Sequence, residues 1–150
     1  MDEEFAAALA PVSRDLAATC AVRPRVVTET HHGTEWVVFY EADGSGTGIG
    51  RLPGRPFAEQ LAHIADQVSD WAVEALCSVG RPAVWPPCPV HPDSHPLASG
   101  VDGGVAVWSC PRTGKKVALI GELGLAVPGP QAEAGERGPR RKRKRRGSGE

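Results

Sequence analysis

The sequence predicts an α+β fold: an N-terminal helix, an antiparallel β-meander, an amphipathic helix, a Pro-rich loop and a C-terminal β-hairpin. Three observations lead there. Residues 57–76 carry apolar side chains at helical spacing (Phe57, Leu61, Ile64, Val68, Trp71, Ala75, Leu76), with Pro56 before them and Gly80 after. Residues 25–52 read as β-rich runs punctuated by turn residues. After residue 97 the runs GVAVWSC and KKVALIGEL flank PRTG, the pattern of a hairpin.

The first element, residues 3–18, places Phe5, Leu9, Val12 and Leu16 on one helix face. Pro11 falls inside it. A proline there removes one hydrogen bond and crowds the preceding turn, so a kink or split is expected. RVVTET (25–30) and EWVVFYEA (35–42) follow, joined by HHGT, whose Gly33 suits a tight turn; a third strand spans roughly residues 46–52. The helices are expected to cover an antiparallel sheet. The element order is similar to that of secretion-chaperone-like adaptor folds, a likeness of topology that implies protein binding rather than turnover.

Charge divides the chain in two. Through residue 130 there are nine Lys/Arg against 15 Asp/Glu, whereas residues 137–146 hold eight of the 17 basic residues. The segment GLAVPGPQAEAGERGP has no hydrophobic period, so a single domain over 1–125 and a disordered linker and tail over 126–150 are expected. Arg140, Arg141, Lys142, Arg143, Lys144, Arg145 and Arg146 form an unbroken basic run, suited to sequence-independent contact with nucleic acid, another polyanion or an acidic partner. It contains no aromatic residue for base stacking. The acidic N-terminus lacks a signal-peptide core and no run approaches membrane-spanning length, so a cytoplasmic location is expected, with reduced cysteines.

Most of the potential chemistry lies in WPPCPVHPDSHPL (85–97) and WSCPRTGK (108–115). Cys88 and His91 have C-x₂-H spacing, which lets one tight turn aim a thiolate and an imidazole at a common centre. His95 follows four residues later, and Cys110 closes a strand before a turn. C-P-R-T-G resembles the second knuckle of a zinc ribbon, C-P-x-C-G, with Thr113 where the knuckle has its second cysteine. The resemblance covers residues 85–123 and implies a zinc site. With His95 replacing the missing ligand, Cys88, His91, His95 and Cys110 make a Cys₂His₂ set suited to tetrahedral zinc. Trp85 and Trp108 flank the cysteines and either shield the metal or fill the core.

This sequence reading is of a non-enzymatic adaptor with structural zinc and a polyanion-contacting tail. Two alternatives stand beside it: an open three-ligand zinc hydrolase using Asp93 as base, and a metal-free protein–protein adaptor. A zinc deaminase is excluded, since neither H-x-E nor P-C-x-x-C occurs. The run DGSGTGIG (43–50) lacks a helix directly after its glycines and is expected to be a hairpin turn rather than a phosphate loop. His31 and His32 are expected at an exposed turn, with no carboxylate fixed beside them. His63 is expected at the boundary of a helix face. Cys20 and Cys77 read as buried thiols, with Cys77 a distant reserve ligand.

Overall fold

The computed structural model describes residues 1–126; the expected linker and basic tail lie almost entirely outside them. The chain runs α1 (Glu3–Thr19), β1 (Arg25–His31), β2 (Thr34–Tyr40), β3 (Gly46–Ile49), α2 (Phe57–Ser78), β4 (Ala98–Asp102), β5 (Val105–Ser109), β6 (Lys116–Leu119) and α3 (Leu123–Ala126). The strands form two antiparallel three-stranded meanders, β1-β2-β3 and β4-β5-β6. The α+β class is as expected. The second meander has one strand more than the expected hairpin, because SGVD is too short and glycine-interrupted to read as a strand until it pairs along β5, from Ala98↔Ser109 to Asp102↔Val105.

Helix α1 begins with Asp2, whose side chain accepts from the Phe5 N–H at 2.8 Å, and Glu3 and Glu4 complement the dipole of its first turn. It continues unbroken past Pro11, so the expected split does not occur. Burial of Phe5, Ala8, Leu9, Val12 and Leu16 outweighs the one lost backbone bond. Helix α2 is the central element, packing on α1 and on both sheets. Ile64, Ala65, Val68 and Ala72 are fully buried, and Trp71 meets Phe39 of β2 edge-on at 5.6 Å. Phe57, assigned from its spacing to the buried face, is 48% exposed at the first turn instead. The residue that opens a helix can point past the element its later turns cover.

The two halves of the chain are joined by a carboxylate that the apolar pattern of α1 does not reveal. Asp15 is fully buried. It accepts from Trp108 Nε1 at 2.9 Å, from the Gly121 N–H at 2.6 Å and from the Leu123 N–H at 2.9 Å. Arg14 Nε donates to the Gly121 carbonyl at 2.9 Å, closing the same junction. Gly121 is required here: its φ is +103°, and an added Cβ would lie 2.8 Å from the Arg14 guanidinium and 2.9 Å from the Pro11 ring.

Burial pushes the Asp15 pKa above its ordinary 3.8, opposed by the three N–H donors and by Arg14. The folded chain therefore holds this proton to higher pH than the unfolded chain. The stability contributed by the group is greatest below about pH 3.8 and falls as pH rises through the folded-state pKa. Asp15→Asn turns an amide N–H toward these donors. It is expected to destabilise the fold by about 2–3 kcal/mol and to remove that component of the pH dependence, as read by urea unfolding between pH 3 and pH 7.

Candidate metal centre

Two segments build the site, and both hang from the core by a tryptophan. Trp85 lies three residues before Cys88 and Trp108 two before Cys110, and their rings meet edge-to-face at 5.7 Å. Trp85 Nε1 donates to Thr19 Oγ1 at 2.9 Å, and Ser69 Oγ donates to the Trp85 carbonyl at 2.8 Å, so α1 and α2 both hold it. Trp108 is held by Asp15. Of the two roles open to the tryptophans, core filling is the observed one: each is at most 1% exposed.

The Pro-rich segment is an ordered loop closed at its base. The Leu97 N–H donates to the Pro86 carbonyl at 2.7 Å, and Pro87 bridges Pro96. Inside it the chain reverses at His91-Pro92-Asp93-Ser94, where Ser94 N–H reaches the His91 carbonyl at 3.2 Å and Asp93 takes φ +61°. Proline at the second turn position and a left-handed third residue are the features of a type II turn, and Asp tolerates that conformation better than most residues. The turn brings His95 back beside His91. In the other segment, the β5–β6 pairing shifts register between Trp108 and Ser109 and ends at Ser109↔Lys116. The turn beyond it is closed by Gly114 N–H to the Cys110 carbonyl at 2.8 Å and Cys110 N–H to the Lys115 carbonyl at 2.9 Å.

These turns bring all four expected residues together. The nearest ligand atoms of Cys88, His91, His95 and Cys110 lie within 4.8 Å of one another. His91 Nδ1 is 3.7 Å from Cys88 Sγ, 3.6 Å from Cys110 Sγ and 3.2 Å from His95 Nε2; Cys110 Sγ is 3.9 Å from His95 Nε2. Tetrahedral zinc with ordinary bond lengths has ligand–ligand edges of about 3.3 Å for N–N and about 3.6 Å for N–S. The three edges at His91 Nδ1 have these dimensions, and the Cys110–His95 edge is slightly longer.

Hydrogen bonding alone does not account for the convergence. A neutral imidazole nitrogen carries either one lone pair or one proton, so His91 Nδ1 cannot satisfy three neighbours at once. A cation at the centre satisfies all four groups together. The outer contacts suit that arrangement. His95 Nδ1 lies 3.0 Å from the Pro96 carbonyl and donates to it in the tautomer that leaves Nε2 free as a ligand.

Thr113, at the position of the missing knuckle cysteine, lies beside the Cys110 sulfur, and its hydroxyl favours the thiolate. With the Thr113 and Arg112 backbone N–H groups and Cys88, it brings the Cys110 pKa from 9.0 down to about 6, against burial that acts to raise it. Cys88 and Cys110 are buried, while His91 and His95 are half-buried at the outer side.

The remaining expected residues lie elsewhere. Cys20 is buried, as expected, and burial pushes its thiol pKa up. Cys77, expected to be buried, is exposed on the last turn of α2. The glycine-rich run forms a turn and β3, as expected. His32 and Gly33 both take positive φ at the β1–β2 turn. The expectation of no neighbouring carboxylate fails for His31, whose Nε2 lies 2.8 Å from Glu29, two residues back on the same face of β1. Tyr40 donates to the same carboxylate, and these two contacts, with that of Tyr40 the larger, hold Glu29 below its ordinary pKa. The cluster lines an open groove of about 700 Å³ with Trp36 and Val38, on the sheet face turned away from α2. The period-two spacing of Glu29 and His31 was the available signal.

No protein-family model, curated protein or solved structure matches this chain. The metal-ligating geometry therefore rests on the residues themselves. Among the described residues, no helix is long and apolar enough to cross a membrane.

The hold on Trp85 is open to direct measurement. Thr19→Val removes the acceptor for Trp85 Nε1 and leaves a buried N–H unpaired. It is expected to cost about 1–3 kcal/mol in urea unfolding, with a change in tryptophan emission from the altered surroundings of the indole.

Proposed function

We propose that this chain is a non-enzymatic binding or adaptor protein in which one structural zinc ion, held by Cys88, His91, His95 and Cys110, pins the Pro-rich loop to the C-terminal hairpin. The observation that carries the reading is the convergence of two thiols and a second imidazole on His91 Nδ1. The charges fit as well. Two thiolates and two neutral imidazoles balance a divalent cation, so the buried side of the site carries no uncompensated charge.

Four protein ligands leave no position for substrate or water, which favours a structural role over an open hydrolytic one. The hydrolase alternative also lacks its base: Asp93 is exposed, and its carboxylate makes no hydrogen bond to His91 or His95 among the described residues. In the proposed reading the basic run at residues 140–146 contacts a polyanion, and the reduced cysteine ligands suit a reducing compartment.

Metal content of untagged protein purified without added metal tests the site. About one zinc per chain is expected, lost in Cys88→Ser and accompanied by a large fall in melting temperature. Protein that folds without metal, and whose stability Cys110→Ser changes only modestly, overturns the reading in favour of a metal-free adaptor. Thr113→Val keeps all four ligands but removes the hydroxyl at the Cys110 sulfur. It is expected to weaken zinc roughly tenfold in competition with a chromophoric chelator.

A further inference from the structure

The cations of the described chain divide into two groups. Arg14, Arg23, Arg25, Arg51 and Arg55 are each engaged within the molecule. Arg14 reaches the Gly121 carbonyl, Arg23 the Ala17 carbonyl and Arg25 the Tyr40 ring face, while Arg51 pairs with Asp2 and Arg55 with Glu59. Arg81, Arg112, Lys115 and Lys116 make no side-chain hydrogen bond or ion pair among the described residues. Three of these four fall within five residues, 112–116, at the tip and base of the β5–β6 turn, and all three are exposed. The two segments that build this end of the molecule, 85–97 and 110–116, contain one acidic residue, Asp93. The body as a whole is acidic, so this local positive surface stands against the overall charge.

The surface is also presented rigidly. Two backbone hydrogen bonds between Cys110 and residues 114–115 close the turn, and Lys115 N–H donates to Thr113 Oγ1 at 3.2 Å. A preorganised turn loses less conformational entropy on binding than a free segment does.

We propose that Arg112, Lys115 and Lys116 form a contact surface for the phosphate backbone of a nucleic acid. A nucleic acid fits this surface because its backbone is a continuous line of negative charge facing a cationic turn on an otherwise acidic body. Residues 110–116 contain no aromatic side chain, so the contact is to phosphate and independent of base sequence.

The inference concerns the hairpin surface and draws on the proposed zinc site only as a further clamp on Cys110. Zinc content and nucleic-acid binding are therefore read separately on each sample, so that failure of one is not mistaken for failure of the other. The experiment follows fluorescence anisotropy of a labelled 20-base-pair duplex of mixed sequence, titrated with the full chain over a range of salt. Three proteins are compared: wild type, R112Q/K115Q/K116Q, and the charge-matched control R23Q/R51Q/R55Q. The hairpin variant is expected to bind roughly tenfold or more weakly at low salt, with the log K against log salt slope reduced by about 2–3. Its zinc content and melting temperature should match wild type, and the control should lose much less affinity. Equal losses in the two triple variants, an unchanged slope in the hairpin variant, or wild-type binding to an acidic peptide but not to duplex or single-stranded nucleic acid would each overturn the proposal.

Discussion

The buried carboxylate of Asp15 is the point on which the two halves of this fold depend. It sits on a helix built from the first residues of the chain, and every donor it accepts from lies more than 90 positions later. An ionisable group in the interior is costly unless its acceptor capacity is used. Here one oxygen takes the Trp108 indole and the Gly121 amide, and the other takes the Leu123 amide at the start of α3. The same contact orients Trp108, which stacks edge-on against Trp85, so the packing that closes the core also sets the starting points of both cysteine segments.

From those starting points the Cys88, His91, His95 and Cys110 cluster follows by local turns. The Cys88–His91 loop and the turn after Cys110 approach each other from different elements. Each is short and held by its own backbone hydrogen bonds, so little freedom is left to lose when the four donors meet. Thr113 shows how a departure from a ribbon-type knuckle is accommodated. It stands where such a knuckle has a cysteine, and the fourth member of the cluster is His95, carried into place by the type II turn at Pro92-Asp93. The half-buried histidines face outward and the cysteines inward, which leaves the charged parts of the surface free for partners.

That surface is unevenly organised. Arginines near the N-terminal half are tied to carbonyls, carboxylates or an aromatic ring, whereas the cations of the β5–β6 turn are not. The groove over β1–β3 carries a hydrogen-bonded Glu29, His31 and Tyr40 beside an exposed Trp36, and the cysteine–histidine end carries lysine and arginine. The protein thus offers two chemically different faces.

The sequence by itself determined what depends on short range. Helices α1 and α2, the strands of the first meander, the β5–β6 hairpin and the four candidate ligands are all readable from periodicity, turn residues and ligand spacing. Helix continuity through Pro11, the extra strand β4, the exposure of Phe57 and Cys77, and the place of Glu29 beside His31 needed more. The first four are decided by which surface a neighbouring element covers, whereas Glu29 meets His31 through period-two spacing along one strand. Tertiary structure alone decided the role of Asp15, since a lone acid at position 15 of an amphipathic helix looks like a solvent-facing charge until its donors from Trp108, Gly121 and Leu123 are in place. It also decided that Cys110 meets Cys88, His91 and His95. No local pattern encodes that meeting, because it arises from the packing of two tryptophans whose contacts span the whole chain.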